Sequence, residues 1–206
     1  MASRSNALSE LTRFWLQSRH GCLVAESVPV KVYRGYSDID FVAMRPDLRP
    51  WTLPDGTQVL RVIVEAKDEH DFDPAGRDFG QRLEEDAEML GDSQYIAKGK
   101  RARFSMLRQE HYEKAASLFG TTAFHRLFVV HALDKEMRQK IAPALAREKR
   151  IHWITIEEIV SDLMAWYESL ENRSTLRYTL VGDLWHLLVG YCDLKPRADF
   201  NGNETG

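Results

Sequence analysis

The chain has 206 residues, 44% of them hydrophobic and 29% charged, with a formal net charge of −3. That length supplies one elaborated domain with a sizeable core, and the charge excludes a protein that is basic overall, so any nucleic-acid contact must use a local basic face. The two cysteines, Cys22 and Cys192, stand far apart without metal-like spacing and read as reduced, buried thiols. No apolar run approaches the ~20 residues needed to span a bilayer, and Met1 to Glu10 has no signal-peptide core. The expected location is the cytoplasm.

The first element is a helix: Leu8, Leu11, Phe14, Trp15 and Leu16 recur at helical spacing, with Ser5 or Asn6 as cap and His20-Gly21 as stop. Cys22 to Tyr33 reads as a valine-rich strand, bent or at an edge because of Pro29. Tyr36 to Met44 is a second strand. Prolines 46, 50 and 54 mark an excursion whose Pro54-Asp55-Gly56-Thr57 turn feeds the nearly all-apolar strand Val59 to Ala66. Such a strand belongs at the centre of a sheet.

A polar, acidic loop spans Asp68 to Asp78; a helix is expected around Phe79 to Leu90 and another within Lys98 to Phe119, with Leu107, Tyr112, Ala115, Ala116 and Leu118 as its buried stripe. Leu127 to Ala132 is a short strand. Met137 to Ala146 reads as a helix that Pro143 interrupts. Ile151 to Ile156 is a strand, Ile156 to Ser169 an amphipathic helix, and Thr179 to Tyr191 a last apolar helix before a polar tail from Pro196. The order predicts a mixed sheet covered by helices, an α/β or α+β class.

Two segments carry acids where core strands avoid them: Gly35-Tyr36-Ser37-Asp38-Ile39-Asp40-Phe41 and Val62-Ile63-Val64-Glu65-Ala66-Lys67. Strand alternation points Glu65 and Lys67 the same way, and pairing of the two strands brings Asp40 to that face. Two carboxylates for a divalent cation with one ammonium beside them suit phosphodiester hydrolysis, where a cation neutralises phosphoryl charge and activates water. Lys67 would orient or deprotonate that water, or balance charge in the transition state.

On these residues the chain resembles the PD-(D/E)XK nuclease superfamily, nearest in pattern to Mrr-type and archaeal Holliday-junction-resolvase-like nucleases. Asp40 matches the single aspartate before an apolar strand, and Glu65-Ala66-Lys67 the E-x-K element. The resemblance covers about residues 5 to 90. It implies a restriction-endonuclease-like mixed central sheet flanked by helices over residues 1–170, a helical extension over 171–195 and a tail over 196–206. It implies Mg²⁺ or Mn²⁺ held by Asp40, Glu65 and the carbonyl of Ala66, with Lys67 assisting the water and Glu10 supporting the site from the first helix. It implies DNA as the substrate and partner. Gln81 resembles a glutamine that some members use near the substrate. No proline precedes the aspartate, and Asp38 competes with Asp40 for the role.

For phosphate contact the strongest stretch is Lys98, Lys100, Arg101 and Arg103, with Arg108 beyond. Ser37-Asp38-Ile39-Asp40-Phe41 also resembles the metal-binding half of a nucleotidyltransferase signature, but the Gly-Ser turn of that family is missing upstream. A non-catalytic interaction module of the same fold is the third reading. Glu26 reads as a salt-bridge residue. The histidines show no zinc spacing and read as structural. The apolar last helix makes a homodimer the oligomeric expectation.

Overall fold

A computed structural model describes residues 7–32, 35–67, 104–133, 135 and 137–167. The chain divides into two compact units, residues 1–159 and 160–206. The first contains the whole sheet. The expected helices at 79–90 and 179–191, the acidic loop, the tail and Cys192 lie outside the described residues.

The first helix, α1 (Ala7–Phe14), runs on into a π-helical turn over Trp15–Arg19. Gly21, at φ +65, turns the chain into the sheet. Strand β1 (Leu23–Val32) pairs antiparallel with β2 (Gly35–Met44), from Leu23 opposite Met44 to Val32 opposite Gly35. The expected hairpin forms as the two-residue strands β3 (Trp51–Thr52) and β4 (Gln58–Val59). Strand β5 (Arg61–Ala66) then pairs antiparallel with β2, and β6 (His125–Val130) adds in parallel to β5.

The five-stranded order is β1-β2-β5-β6-β7, with β7 at Ile151–Thr155 parallel to β6. The mixed α/β class read from the sequence is the observed one. Pro29 sits on β1, an edge strand, where the missing donor costs no ladder bond on the open side. Val62, Ile63 and Val64 are fully buried in the middle strand.

The helix expected within Lys98 to Phe119 is α2, Gln109–Phe119; among the described residues before it a 3₁₀ turn spans Ser105–Leu107 and Arg108 is extended. Gly120, at φ +65, ends α2 and donates its N–H to Ala116 O. Pro143 stands where the helix changes geometry: a π-helical turn over Met137–Ile141 runs directly into α3 (Ala142–Lys149), of which Pro143 is the second residue. A proline has no N–H to give the preceding turn, and the change of helix type falls beside it.

Helix α4 (Ile156–Tyr167) starts with a reciprocal cap. Glu158 N donates to Thr155 Oγ1 at 3.3 Å, and Glu158 Oε2 accepts from Thr155 N at 2.7 Å. No described helix is long and apolar enough to cross a membrane.

The sheet has two covered faces. Val30, Val42, Ile63, Phe128, Val130, Ile151 and Trp153 pack with Phe104, Met106, Leu107 and Ala115 in one cluster, so the 3₁₀ turn and α2 cover that face. Leu8, Phe14, Trp15 and Leu16 are buried outside that cluster, and α1 touches β5, which puts α1 on the other face. Asp40 and Glu65 line one cleft with Ser105, Met106 and His111, which puts them on the α2 face.

Candidate active site

The site forms where β2 and β5 part. Their ladder runs from Met44–Arg61 to Phe41–Val64. One step further sets Asp40 opposite Glu65, side chains on one face, and opposite Cβ atoms of antiparallel strands stand about 5 Å apart. Lys67 N–H donates to Val129 O at 2.9 Å, so the odd residues of β5 address β6 and Ala66 addresses β2. Ala66 meets no backbone acceptor there. Its N–H goes instead to Asp40 Oδ2 at 2.8 Å. The Asp40 carboxylate thus ends the ladder by standing in for a strand carbonyl.

Glu65 is only 4% exposed. Its Oε1 accepts from Ser105 Oγ at 2.6 Å and lies 2.5 Å from Lys67 Nζ. Its Oε2 accepts from Met106 N–H at 3.2 Å. Three of the carboxylate's roughly four acceptor positions are therefore used. Lys67 is about one-third exposed, so its ammonium reaches water while its stem is covered.

Asp40 carries the electrostatic cost. Its pKa is raised to about 6, first because it is buried and next because the Glu65 charge is close; the Ala66 N–H and Lys67 act against this, and Asp38 adds to it. Two carboxylates held together in a low dielectric repel more than one lysine can offset.

The cleft is lined by Asp38, Asp40, Glu65, Ser105, Met106 and His111. His111, on α2, has no exposed surface. Its Nε2 is 3.2 Å from Asp38 O and 3.2 Å from Ser37 Oγ. A carbonyl only accepts, so Nε2 carries the proton, and the buried Nδ1 has no partner. Burial lowers the pKa of this ring.

The expected residues are distributed as follows. Asp40, Glu65, Ala66 and Lys67 are together. Glu10 belongs to a separate group: it pairs with Arg13 on its own helix, and Arg13 also reaches Glu26 Oε1 at 3.3 Å, which gives Glu26 its salt bridge. Lys98, Lys100, Arg101, Arg103 and Gln81 lie outside the described residues. Cys22 is a buried free thiol, pushed up to about 12 chiefly by burial. Among the described residues no three His, Cys, Asp or Glu side chains converge as a metal-holding group.

Ser105, Met106 and His111 are contacts that no sequence motif marked, since they arrive from residues 40 to 74 positions away. A second polar group was also missed. At the opposite end of the parallel strands, Asp55 Oδ2 bonds His152 Nδ1 at 3.0 Å, and His152 Nε2 bonds His125 Nδ1 at 2.8 Å. His125 falls to about 4, first through burial and next through His152 and Arg150.

The molecule is thus a mixed α/β sheet whose parted central strands hold two carboxylates and a lysine. No family model, curated protein or solved structure matches the chain.

Proposed function

We propose that the chain is a divalent-metal-dependent nuclease of the PD-(D/E)XK type, hydrolysing phosphodiester bonds in DNA. The observation that carries this reading is the Asp40–Glu65 pair at the parting of β2 and β5, with Lys67 Nζ 2.5 Å from Glu65. The strand order supports it too: an antiparallel β1-β2-β5 set that continues in parallel through β6 and β7 agrees with a restriction-endonuclease-like sheet.

The residues fit Mg²⁺ or Mn²⁺. Asp40 is driven towards protonation by its own burial and by Glu65, and a hard cation relieves both. Mg²⁺ needs few protein ligands, because it keeps several waters and takes phosphate oxygens. Asp40 and Glu65 would hold the cation, with the carbonyl of Ala66 beside them. Bound there, it would supply Lewis-acid charge and a more acidic water.

The chain's own groups do the rest. Ser105 and Met106 N–H hold the Glu65 carboxylate in one orientation. The Ala66 N–H holds Asp40 against β5. Lys67 places its ammonium beside Glu65, where it can donate to a phosphoryl oxygen or take a proton from the attacking water.

The test is cleavage of plasmid, linear and single-stranded DNA, and of RNA, with Mg²⁺ or Mn²⁺. Wild type is compared with Asp40→Asn and Lys67→Ala. Activity in the wild type that falls about 100-fold or more in both variants supports the reading. Activity that survives both substitutions, or none with any substrate and metal, overturns it.

A further inference from the structure

Arg126 is a cation enclosed on the same face of the sheet as the carboxylates, and no acid among the described residues answers it. It is the second residue of β6 and alternates with Phe128 and Val130, so it points towards α2. It is 6% exposed. Its guanidinium carbon lies 5.3 Å from the ring centre of Tyr112 on α2 and 5.4 Å from that of Phe124. Nε is enclosed without a hydrogen-bond partner. The terminal nitrogens are not enclosed and form the open end of the group.

A guanidinium stays protonated in proteins, so its burial has to be compensated. Here burial lowers its pKa to about 10, and among the described residues the group acting in the opposite sense is Tyr112. Two aromatic faces offset part of the desolvation and no more. They also hold the planar fork rigid, which is what a two-point grip on an oxyanion requires.

We propose that Arg126, braced by Tyr112 and Phe124, is an oxyanion-binding site for a phosphate group. A rigid, permanently charged fork that no acid among the described residues neutralises suits a phosphate group, two of whose oxygens it can grip at once. The phosphate is either free inorganic phosphate or the phosphodiester of a nucleic acid. The inference does not depend on the nuclease reading.

The test is thermal unfolding of the full chain in sodium phosphate and in sodium chloride at matched pH and ionic strength, with a third arm containing short duplex DNA. Wild type is compared with Arg126→Met. In phosphate at about 100 times its dissociation constant, the wild type is expected to melt about 5 °C higher than in chloride. Arg126→Met is expected to show no such rise, and to melt in chloride at or above the wild type because the enclosed charge is gone. A response to inorganic phosphate assigns the free anion, and a response to duplex alone assigns the backbone. An equal rise in both proteins, or none in the wild type in any arm, overturns the site. If the methionine variant does not fold, Arg126→Lys replaces it; phosphate affinity unchanged by loss of the fork likewise overturns the proposal.

Discussion

The two ends of the β5–β6–β7 strands bury titratable groups in opposite ways. At the C-terminal end of β5, Asp40 and Glu65 carry like charge on one face, and burial and mutual repulsion raise Asp40 to about 6. At the N-terminal end of β6 and β7, Asp55, His152 and His125 form a chain in which each contact joins groups able to donate and accept. His152 is 2% exposed and has a partner on both nitrogens. There the Asp55 pKa is lowered, with the His152 and Thr57 hydrogen bonds outweighing burial. A polar cluster that satisfies itself ties elements together, here the β3–β4 turn to β6 and β7. A cluster that frustrates itself is poised for an outside charge.

The contrast can be broken by substitution. Lys67→Ala should give the largest effect, a loss of about 100- to 1000-fold in cleavage together with a lowered melting temperature, since buried Glu65 loses its cation, measured by gel cleavage and calorimetry. His152→Ala should destabilise the fold by about 2–4 kcal/mol in denaturant titration, because it strands Asp55 and His125 and leaves a cavity. Asp40→Asn should do the reverse at neutral pH in chelator, adding about 1–2 kcal/mol, since the amide oxygen keeps the Ala66 N–H while the repelled charge is gone. A melting temperature lowered in Asp40→Asn would show that the pair is not frustrated.

The smallest effect is a pH dependence. His125 is depressed to about 4, so the unfolded chain takes up its proton first. Its contribution is whole above about 6.5 and is lost as pH falls towards 4. Asp40 is raised to about 6, so the folded chain holds its proton longer, and stability falls as pH rises from about 3.8 to 6. The two slopes oppose each other over pH 4 to 6. His111, also lowered by burial, adds to the His125 slope, so stability should rise with pH in both proteins, more steeply in Asp40→Asn than in the wild type, as followed by urea unfolding at half-unit intervals.

Much of this was legible in the chain. The apolar run Val62-Ile63-Val64 announced a central strand, Pro54-Asp55-Gly56 a hairpin, and Asp40 and Glu65-x-Lys67 a charged cluster, because strand alternation and turn chemistry are local. Glu10 was expected at the site, but its helix covers the other face and its carboxylate pairs with Arg13. Helical spacing reports which side of a helix is apolar, not which face of a sheet it will cover.

The sequence alone determined the class of fold, the central strand and the identity of the acids and the lysine, all of which follow from periodicity and residue type within about ten positions. Tertiary structure decided which groups surround them. Ser105 and Met106 reach Glu65 only because the chain leaves helical geometry at Arg108, and that break is set by the fit of a 3₁₀ turn against β2 and β5. Arg126, His125 and His152 look like ordinary strand residues until parallel pairing sets β6 beside β7 and α2 closes over one face. Such contacts join residues tens of positions apart, and no local period encodes them.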